Sequence, residues 1–211
     1  MLVGIVDLGV NNLTSVQRAF SVPLKTNDTM TIIEDGLGMH PPDLLILPGL
    51  GTFSAGMAAL RERNLVEKIK DWNREGSKVV GICLGMQLLA TSSQESLGIE
   101  GLNLIDSKVV RLKDDQFERV PHTGWAETNS QLEIQPFSAL HSSGDFYFVH
   151  SYHLKPASNS DVLTTTPFGS GSFVSSVLSR NILGVQFHPE KSGGKGRALI
   201  SEIVQWARNE D

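Results

Sequence analysis

The sequence predicts an α/β protein: helices flank a mostly parallel central sheet, and an antiparallel β extension occupies the second half. Over residues 1–90, short apolar runs alternate with helical patterns, which is typical of βαβ units in a parallel sheet. After residue 101, short β-like runs follow one another with only polar turns between them, which favours antiparallel pairing. The 211 residues, 40% hydrophobic and 19% charged, suit one globular domain spanning residues 1–211.

The strands predicted in the first half are continuous apolar runs. The first of them, Leu2–Val6, shows no polar alternation, which indicates a strand covered on both faces. Asn11 and Asn12 then offer an N-cap for a first helix. The other predicted elements of this half are strands at residues 29–34, 43–47 and 79–82, and helical segments at residues 13–20 and 53–75, the latter broken near residues 63–64.

The second half is predicted to be mainly β-structure, closed by one helix. Its apolar and β-branched runs are short and bounded by polar turn residues. The predicted elements are strands at residues 102–112, 146–149, 162–166, 172–178 and 182–187, and a last helix at residues 195–208.

Composition excludes several classes of function. A formal net charge of −5 leaves no basic footprint for nucleic acid. A single cysteine can form neither an intramolecular disulfide nor a multi-cysteine zinc site. The start of the chain lacks the pattern of a secretory signal, and no run approaches the roughly 18 apolar residues of a membrane span. The sequence therefore predicts a cytoplasmic protein without a membrane or nucleic-acid partner.

The single cysteine, Cys83, stands between Gly81 and Gly85, where a predicted strand passes into a helix. This G-x-nucleophile-x-G layout is typical of an elbow that carries a nucleophile, because glycines permit a strained bend and close backbone approach. The exposed N–H groups of a helix start also favour a thiolate over a thiol. A buried, inert thiol is the alternative, since that is the commoner state of a lone intracellular cysteine.

A cysteine nucleophile needs a base, and the base needs an orienting partner. Of the six histidines, His188 directly follows a strand pattern, and Glu190 lies two positions later. Residues i and i+2 of extended backbone point to the same side, so Glu190 is placed to hydrogen-bond His188 and stabilise its imidazolium. A surface His-Pro-Glu turn would explain the same residues. The histidines show no metal-ligand spacing, so no metal site is predicted.

Attack on a carboxamide also requires an oxyanion hole built from two N–H donors. One candidate donor is the N–H of Leu84, directly after the cysteine. The other is the N–H of Leu50 or Gly51, in a glycine-rich turn that follows a predicted strand. An ordinary strand-to-helix turn explains these glycines equally well.

Three motifs together resemble the class I, triad-type glutamine amidotransferases. They are residues 47–53 (LPGLGTF), residues 81–89 (GICLGMQLL) and residues 184–193 (GVQFHPEKSG). Residues 121–125 (PHTGW) and 147–152 (YFVHSY) narrow the resemblance to glutaminase subunits that supply a cyclase in histidine biosynthesis. The motifs stand in the family's order along nearly the whole chain, and the resemblance implies the family's three-layer fold.

The resemblance implies a triad of Cys83 as nucleophile, His188 as base and Glu190 as orienting carboxylate. The implied reaction hydrolyses the side-chain amide of L-glutamine to glutamate and ammonia, without a cofactor. Ammonia would then pass through the TIM-type barrel of a cyclase subunit, held as a heterodimer. Glutamine contacts are implied for Gly51, Gln87, Glu95, His150, Ser151 and Tyr152. Partner contacts are implied for Asn12, Trp125, Tyr147 and Lys191.

Some positions depart from the family's pattern and leave the ammonia acceptor open. Leu8 and Asn11 stand where the family usually has tyrosine and glycine, and Thr123 and Ala126 replace methionine and asparagine. A paralogous subunit that feeds a sugar-modifying synthetase is one alternative. A catalytically silent scaffold is another, although retention of all three triad residues argues against it.

Overall fold

The computed structural model describes residues 1–9, 13–130, 136–142 and 144–208. Within them, strands and helices alternate in the first half and strands dominate the second. The strands are β1 (Leu2–Val6), β2 (Thr29–Ile33), β3 (Leu44–Gly49), β4 (Lys78–Cys83), β5 (Ser92–Ser93), β6 (Ser107–Arg111), β7 (His122–Glu127), β8 (Asn129–Ser130), β9 (Asp145–His150), β10 (Tyr152–Pro156), β11 (Val162–Phe168), β12 (Gly171–Ser179) and β13 (Ile182–Val185). The helices are α1 (Leu13–Ser21), α2 (Phe53–Glu62), α3 (Leu65–Arg74), α4 (Leu84–Leu88) and α5 (Gly193–Ala207).

An eight-stranded sheet in the order β2-β1-β3-β4-β13-β12-β11-β8 forms the centre of the molecule. The first five strands of that order pair in parallel. The remaining three continue the sheet by antiparallel pairing. The predicted fold class, a mostly parallel sheet with helices on its faces and an antiparallel extension, is therefore confirmed.

Alternate residues of the central strands face different helices. In β3, Leu44 and Ile46 join one core cluster with side chains of α1 and α5. Leu45 and Leu47 join a second cluster with α2 and α3. Because successive side chains point to opposite faces and both faces are covered, every position of such a strand must be apolar. This is the physical reason for the unbroken apolar runs in the sequence.

The structure differs from the sequence prediction mainly in the second half. The predicted run 102–112 is a strand only at Ser107–Arg111, while β7 and β10 were not predicted. The predicted strand 182–187 ends at Val185, and it belongs to both parts of the sheet, because it pairs in parallel with β4 and antiparallel with β12. β6 and β10 form a small sheet with β5, and β7 pairs with β9. These short strands depend on distant partners, which local periodicity does not reveal.

The predicted break in the long helical segment is confirmed. α2 ends at Glu62 and α3 begins at Leu65, with Asn64 between them in the left-handed region at a φ of 55°. The Thr52 side chain accepts from the backbone N–H of Ala55 and so caps the start of α2. The cap predicted at residues 11–12 lies outside the described residues. Within residues 13–130, 136–142 and 144–208, no helix has the length and apolarity needed to cross a bilayer.

Close packing between α4 and the strands beside it explains the glycines around Cys83. A Cβ atom added at Gly85 would lie 1.7 Å from the carbonyl oxygen of Leu47 in β3. One added at Gly81 would lie 2.7 Å from the backbone oxygen of Gly85. Such distances are far inside van der Waals contact, so any larger residue would push α4 away from the sheet.

We expect Gly85→Ala to destabilise the protein by roughly 4 kcal/mol or more, because its methyl group would overlap backbone that cannot move independently. Urea-induced unfolding followed by circular dichroism measures the loss. Gly171→Ala is the matched control, since a Cβ at Gly171 meets no heavy atom within 4 Å, and its effect should stay within about 0.5 kcal/mol. Equal unfolding midpoints for the two variants would contradict the packing argument.

Candidate active site

Three neighbouring parallel strands end at the same edge of the sheet, and the candidate site lies there. β4 pairs in parallel with β3 on one side and with β13 on the other. Gly49 of β3 is in register with Cys83 of β4, so the turn after β3 begins beside the cysteine. The carboxyl ends of parallel strands are the usual place for ligands in such sheets.

Cys83 occupies a strained elbow between β4 and α4. Its φ and ψ are 54° and −109°, a backbone conformation that residues with a side chain rarely adopt. The residue is 5% exposed, and its sulfur lies within the site. Gln186 Nε2 donates to Sγ at 3.7 Å, and the thiol is 3.9 Å from the carbonyl oxygen of Val149. The bend predicted from the flanking glycines is present.

His188 and Glu190 form a buried pair beyond the end of β13. His188 Nδ1 lies 2.8 Å from Glu190 Oε1, and each side chain is only 3% exposed. Because a carboxylate can only accept, Nδ1 carries the hydrogen and Nε2 is the ring nitrogen that can take up a proton. Nε2 is buried and makes no hydrogen bond of normal geometry to any described residue. The backbone N–H of His188 donates to the carbonyl oxygen of Tyr147 at 2.8 Å and fixes the position of the ring.

The surroundings of His188 favour its charged form. Burial lowers the pKa of His188, but interactions of the imidazolium with Cys83 and Glu190 outweigh burial and raise that pKa to about 10. The imidazolium is therefore the dominant form at neutral pH. A positive charge beside Cys83 stabilises a negatively charged sulfur, which is the reactive form of a cysteine.

A pocket of about 210 Å³ opens in front of Cys83. It is lined by the predicted residues Leu50, Gly51, Cys83, Leu84, Gln87, Glu95, His150, Ser151 and Tyr152, together with Pro121 and Val149, which were not predicted. Gly51 has a φ of +101°, and a Cβ there would meet nothing within 4 Å, so its backbone borders open space. A larger cleft of about 720 Å³ lies elsewhere, near Lys113 and Lys155, and contains none of the predicted site residues.

Hydrogen bonds hold the polar wall of this pocket. Gln87 Nε2 donates to the carbonyl oxygen of Tyr152 at 2.8 Å, and His150 Nδ1 lies 2.9 Å from the same oxygen. Burial lowers the pKa of His150 to about 3, so this ring is neutral. Its Nε2 is 3.1 Å from His122 Nδ1. Glu95 Oε2 accepts from the backbone N–H of Phe53 at 2.6 Å, which ties the pocket to the start of α2.

Three of the four predicted partner-contact residues lie together on the surface beside this site. Trp125 of β7 and Tyr147 of β9 are cross-strand neighbours with ring centroids 5.7 Å apart. Lys191 Nζ lies 5.8 Å from the centroid of the Tyr147 ring. Trp125 is 55% exposed, which is high for so large an apolar side chain. The fourth predicted residue, Asn12, lies outside the described residues.

Sequence reasoning missed Gln186, although a signal was present. Gln186 precedes His188 by two positions, as Glu190 follows it by two, so the rule that linked Glu190 to His188 also applied to Gln186. Among the described residues, no group of three or more His, Cys, Asp or Glu side chains is arranged to hold a metal ion.

The family model described as glutamine amidotransferase class-I matches residues 5–205. The chain belongs to the class-I glutamine amidotransferase family. Among solved structures, a crystal structure of glutamine amidotransferase superposes on this amidotransferase with a TM-score of 0.71 at 18% identity, covering 98% of each chain. The structure of PurLQS from Thermotoga maritima also gives a TM-score of 0.71 at 18% identity, covering 97% of this chain and 98% of that one. Both likenesses concern the fold.

Three relatives of higher identity carry the same name. A Pyrococcus furiosus protein named imidazole glycerol phosphate synthase subunit HisH is 41% identical, covering 94% of this amidotransferase and 95% of the relative. A Prochlorococcus marinus protein of that name is 36% identical, covering 99% and 96%. A Sulfurimonas denitrificans protein, again so named, is 40% identical, covering 97% and 98%.

The pKa of His188 in this amidotransferase predicts a pH-dependent stability. The pKa of His188 is about 10 in the folded state and about 6.5 in the unfolded state. The charged His188 therefore contributes to the free energy of unfolding in full below pH 6.5, and this contribution is lost as pH rises through 10. We expect Glu190→Gln to lower the free energy of unfolding by roughly 1.5–3 kcal/mol near pH 6.5, and the deficit to shrink towards pH 10.

Urea unfolding at several pH values between 6 and 10 measures this difference. Glu67→Gln, which alters a carboxylate that is 74% exposed, is the matched control. Its free energy of unfolding should change with pH in the same way as that of the wild type. A deficit of Glu190→Gln that stays constant over this pH range would disprove the charge coupling.

Proposed function

We propose that this chain is the glutaminase subunit of imidazole glycerol phosphate synthase, which hydrolyses L-glutamine and delivers the ammonia to a cyclase subunit for histidine biosynthesis. Its support is the likeness over nearly the whole chain, at 36–41% identity, to relatives named as that subunit. The residues that such a reaction needs stand together at one edge of the sheet: a cysteine on a strained elbow and a histidine bonded to a buried carboxylate.

The first half of the reaction forms a thioester. Cys83 Sγ, as a thiolate, attacks the amide carbon of glutamine and turns the carbonyl oxygen into an oxyanion. His188 is the acid: the proton on Nε2 of the imidazolium passes to the amide nitrogen, the C–N bond breaks, and ammonia leaves. Glu190 keeps Nδ1 hydrogen-bonded throughout, so the ring presents the same nitrogen in each step.

The second half hydrolyses the thioester. His188 is now neutral, and its Nε2 takes a proton from water as the water oxygen attacks the acyl carbon. The tetrahedral intermediate collapses, the C–S bond breaks, and glutamate leaves with Cys83 again a thiolate beside an imidazolium. The raised pKa of His188 fits this cycle, because the resting enzyme already holds the proton that the leaving ammonia requires.

The oxyanion hole is proposed to consist of the backbone N–H groups of Leu50 and Leu84. Both residues line the pocket with Cys83. Leu50 follows the end of β3, and Leu84 begins α4 directly after the cysteine. Donors aimed at a developing oxyanion in a water-poor site typically lower the barrier by roughly 2.7–4 kcal/mol each. Gly51 permits the backbone turn that follows Leu50, because its φ of +101° suits only glycine.

Glutamine is proposed to bind in the 210 Å³ pocket, because this pocket opens beside Cys83 and has polar residues in its lining. The lining includes the carboxylate of Glu95 and the side-chain amide of Gln87. The contacts proposed for the substrate come from Gly51, Gln87, Glu95, His150, Ser151 and Tyr152.

The cyclase is proposed to dock on the surface formed by Trp125, Tyr147 and Lys191. The exposed indole of Trp125 supplies apolar area for a contact, and aromatic residues are frequent anchors at interfaces. The same surface adjoins the catalytic base, because the Tyr147 ring centroid lies 6.5 Å from that of His188. Asn12 is included because the family resemblance implies it.

The proposed function predicts that Cys83 reacts with glutamine-mimicking electrophiles and that turnover needs the cyclase. A diazo-ketone analogue of glutamine should label Cys83 in a stoichiometric manner, which mass spectrometry detects. The rate of glutamate formation in a coupled assay should rise strongly when the cyclase subunit and its nucleotide ligand are added. The Cys83→Ser substitution should abolish this glutamate formation.

Two results would overturn this function. The absence of labelling with the cyclase present would indicate a silent scaffold. Labelling without any stimulation by the cyclase would indicate another ammonia acceptor, such as a sugar-modifying synthetase.

The proposed oxyanion donor predicts a loss of turnover in Leu50→Pro, because proline has no N–H to offer. We expect kcat in the cyclase complex to fall roughly 100- to 1,000-fold with a smaller change in KM, since the donor acts on the transition state. Leu50→Ala keeps the N–H and is the control. Comparable rates for the two variants would rule out the Leu50 N–H as a donor.

A further inference from the structure

We infer that Gln186 is a further catalytic residue, whose side-chain amide donates a hydrogen bond to the reacting sulfur of Cys83 and stabilises it as a thiolate. The inference rests on the proposed function, because it gives the sulfur a role in catalysis. Gln186 Nε2 lies 3.7 Å from Cys83 Sγ, a normal length for a hydrogen bond to sulfur. The residue is fully buried, so this contact is not in competition with water.

The local backbone aims Gln186 at the site. It directly follows β13, and its backbone N–H donates to the carbonyl oxygen of Ser175, continuing the pairing with β12. The side chains on either side of it, Val185 and Phe187, lie in the hydrophobic core. Gln186 and His188 therefore point away from that core, and Gln186 contacts Cys83 directly.

The hydrogen bonds around Gln186 decide which end of its amide faces the sulfur. The carbonyl oxygen of Tyr152 can only accept, so Gln87 must direct its NH2 group, Nε2, towards that oxygen at 2.8 Å. The same Nε2 lies 3.2 Å from the Gln186 side chain, and a donor there requires the Gln186 oxygen, Oε1. The NH2 group of Gln186 is thereby left to face Cys83. An amide flip would set donor against donor at Gln87.

His150 strengthens this orientation. Its ring is neutral, and its Nδ1 lies 2.9 Å from the same carbonyl oxygen, so Nδ1 carries a hydrogen and donates. The Tyr152 oxygen then accepts two hydrogen bonds, which uses both of its lone pairs. Gln87 is a positioning residue in this arrangement, and because it also lines the glutamine pocket it connects the substrate site to the donor on sulfur.

A neutral donor on sulfur supplements the charge of His188. In the proposed cycle His188 is charged both when the thiolate attacks and when it is expelled, and Gln186 adds a direct hydrogen bond of 3.7 Å at each of these points. Gln186 therefore stabilises the sulfur as the attacking thiolate and again when the thiolate is expelled from the second tetrahedral intermediate. No proton passes through Gln186, and no bond to it forms or breaks.

The test is the pH dependence of Cys83 alkylation by iodoacetamide, which reports thiolate formation without glutamine. Cys83 is the only cysteine, so the rate is specific to this site. We expect Gln186→Leu to move the midpoint of the rate profile up by about one pH unit and to slow alkylation roughly tenfold at pH values below both midpoints. Gln186→Glu should raise the midpoint further, because an ionised carboxylate repels the thiolate and donates nothing. Turnover with the cyclase should fall by at least the same factor.

Val185→Ala is the matched control: it alters the adjacent buried side chain of the same segment and leaves the donor in place. Its midpoint should equal that of the wild type. A wild-type midpoint for Gln186→Leu, or an equal shift in Val185→Ala, would overturn the role of Gln186. If Gln186→Leu does not fold, Gln186→Met and Gln186→Glu test the same hydrogen bond to the sulfur. Failure of the glutamine analogue to label wild-type Cys83 would refute the proposed function instead, so the two failures are distinguishable.

Discussion

The parallel register of β3, β4 and β13 is the constraint on which the site depends. Because all three strands run in the same direction, their carboxyl ends reach one edge, and the segments that follow them meet there. The elbow comes from β4, the glycine-rich turn from β3, and the His-Pro-Glu segment from β13. A shift of β13 by one residue would turn His188 into the core, away from the edge of the sheet at which Cys83 lies.

The chemistry of the site depends on charges that are buried but paired. A carboxylate and an imidazolium withdrawn from water would each be costly alone, and the 2.8 Å hydrogen bond between Glu190 and His188 offsets that cost. The strained backbone of Cys83 places the residue at the same edge of the sheet as this pair. Close packing of Gly85 against Leu47 keeps α4 on the sheet beside the strained residue. Packing and electrostatics therefore support the same geometry.

Much of the fold and the site was predictable because the relevant signals are local. Buried parallel strands give unbroken apolar runs, the break at Asn64 interrupts a helical pattern, and an elbow needs glycines beside its nucleophile. β7 and β10 escaped prediction because each is half-exposed or short and takes its strand character from a partner elsewhere in the chain. The extent of β13 was overestimated because an apolar residue such as Phe187 serves the core equally well outside a strand.

The sequence by itself determined the fold class, the nucleophile candidate and the spacing of the base and its carboxylate, since these depend on residue type and on the local repeat of the backbone. Only the tertiary structure decided which side chains meet. The contact of Gln186 with Cys83 spans 103 positions of the chain, and the orientation of its amide depends on a carbonyl oxygen at Tyr152. The spacing of Gln186 to His188 indicates the side of the segment on which its side chain lies, but strand pairing over long distances decides which side chains it meets.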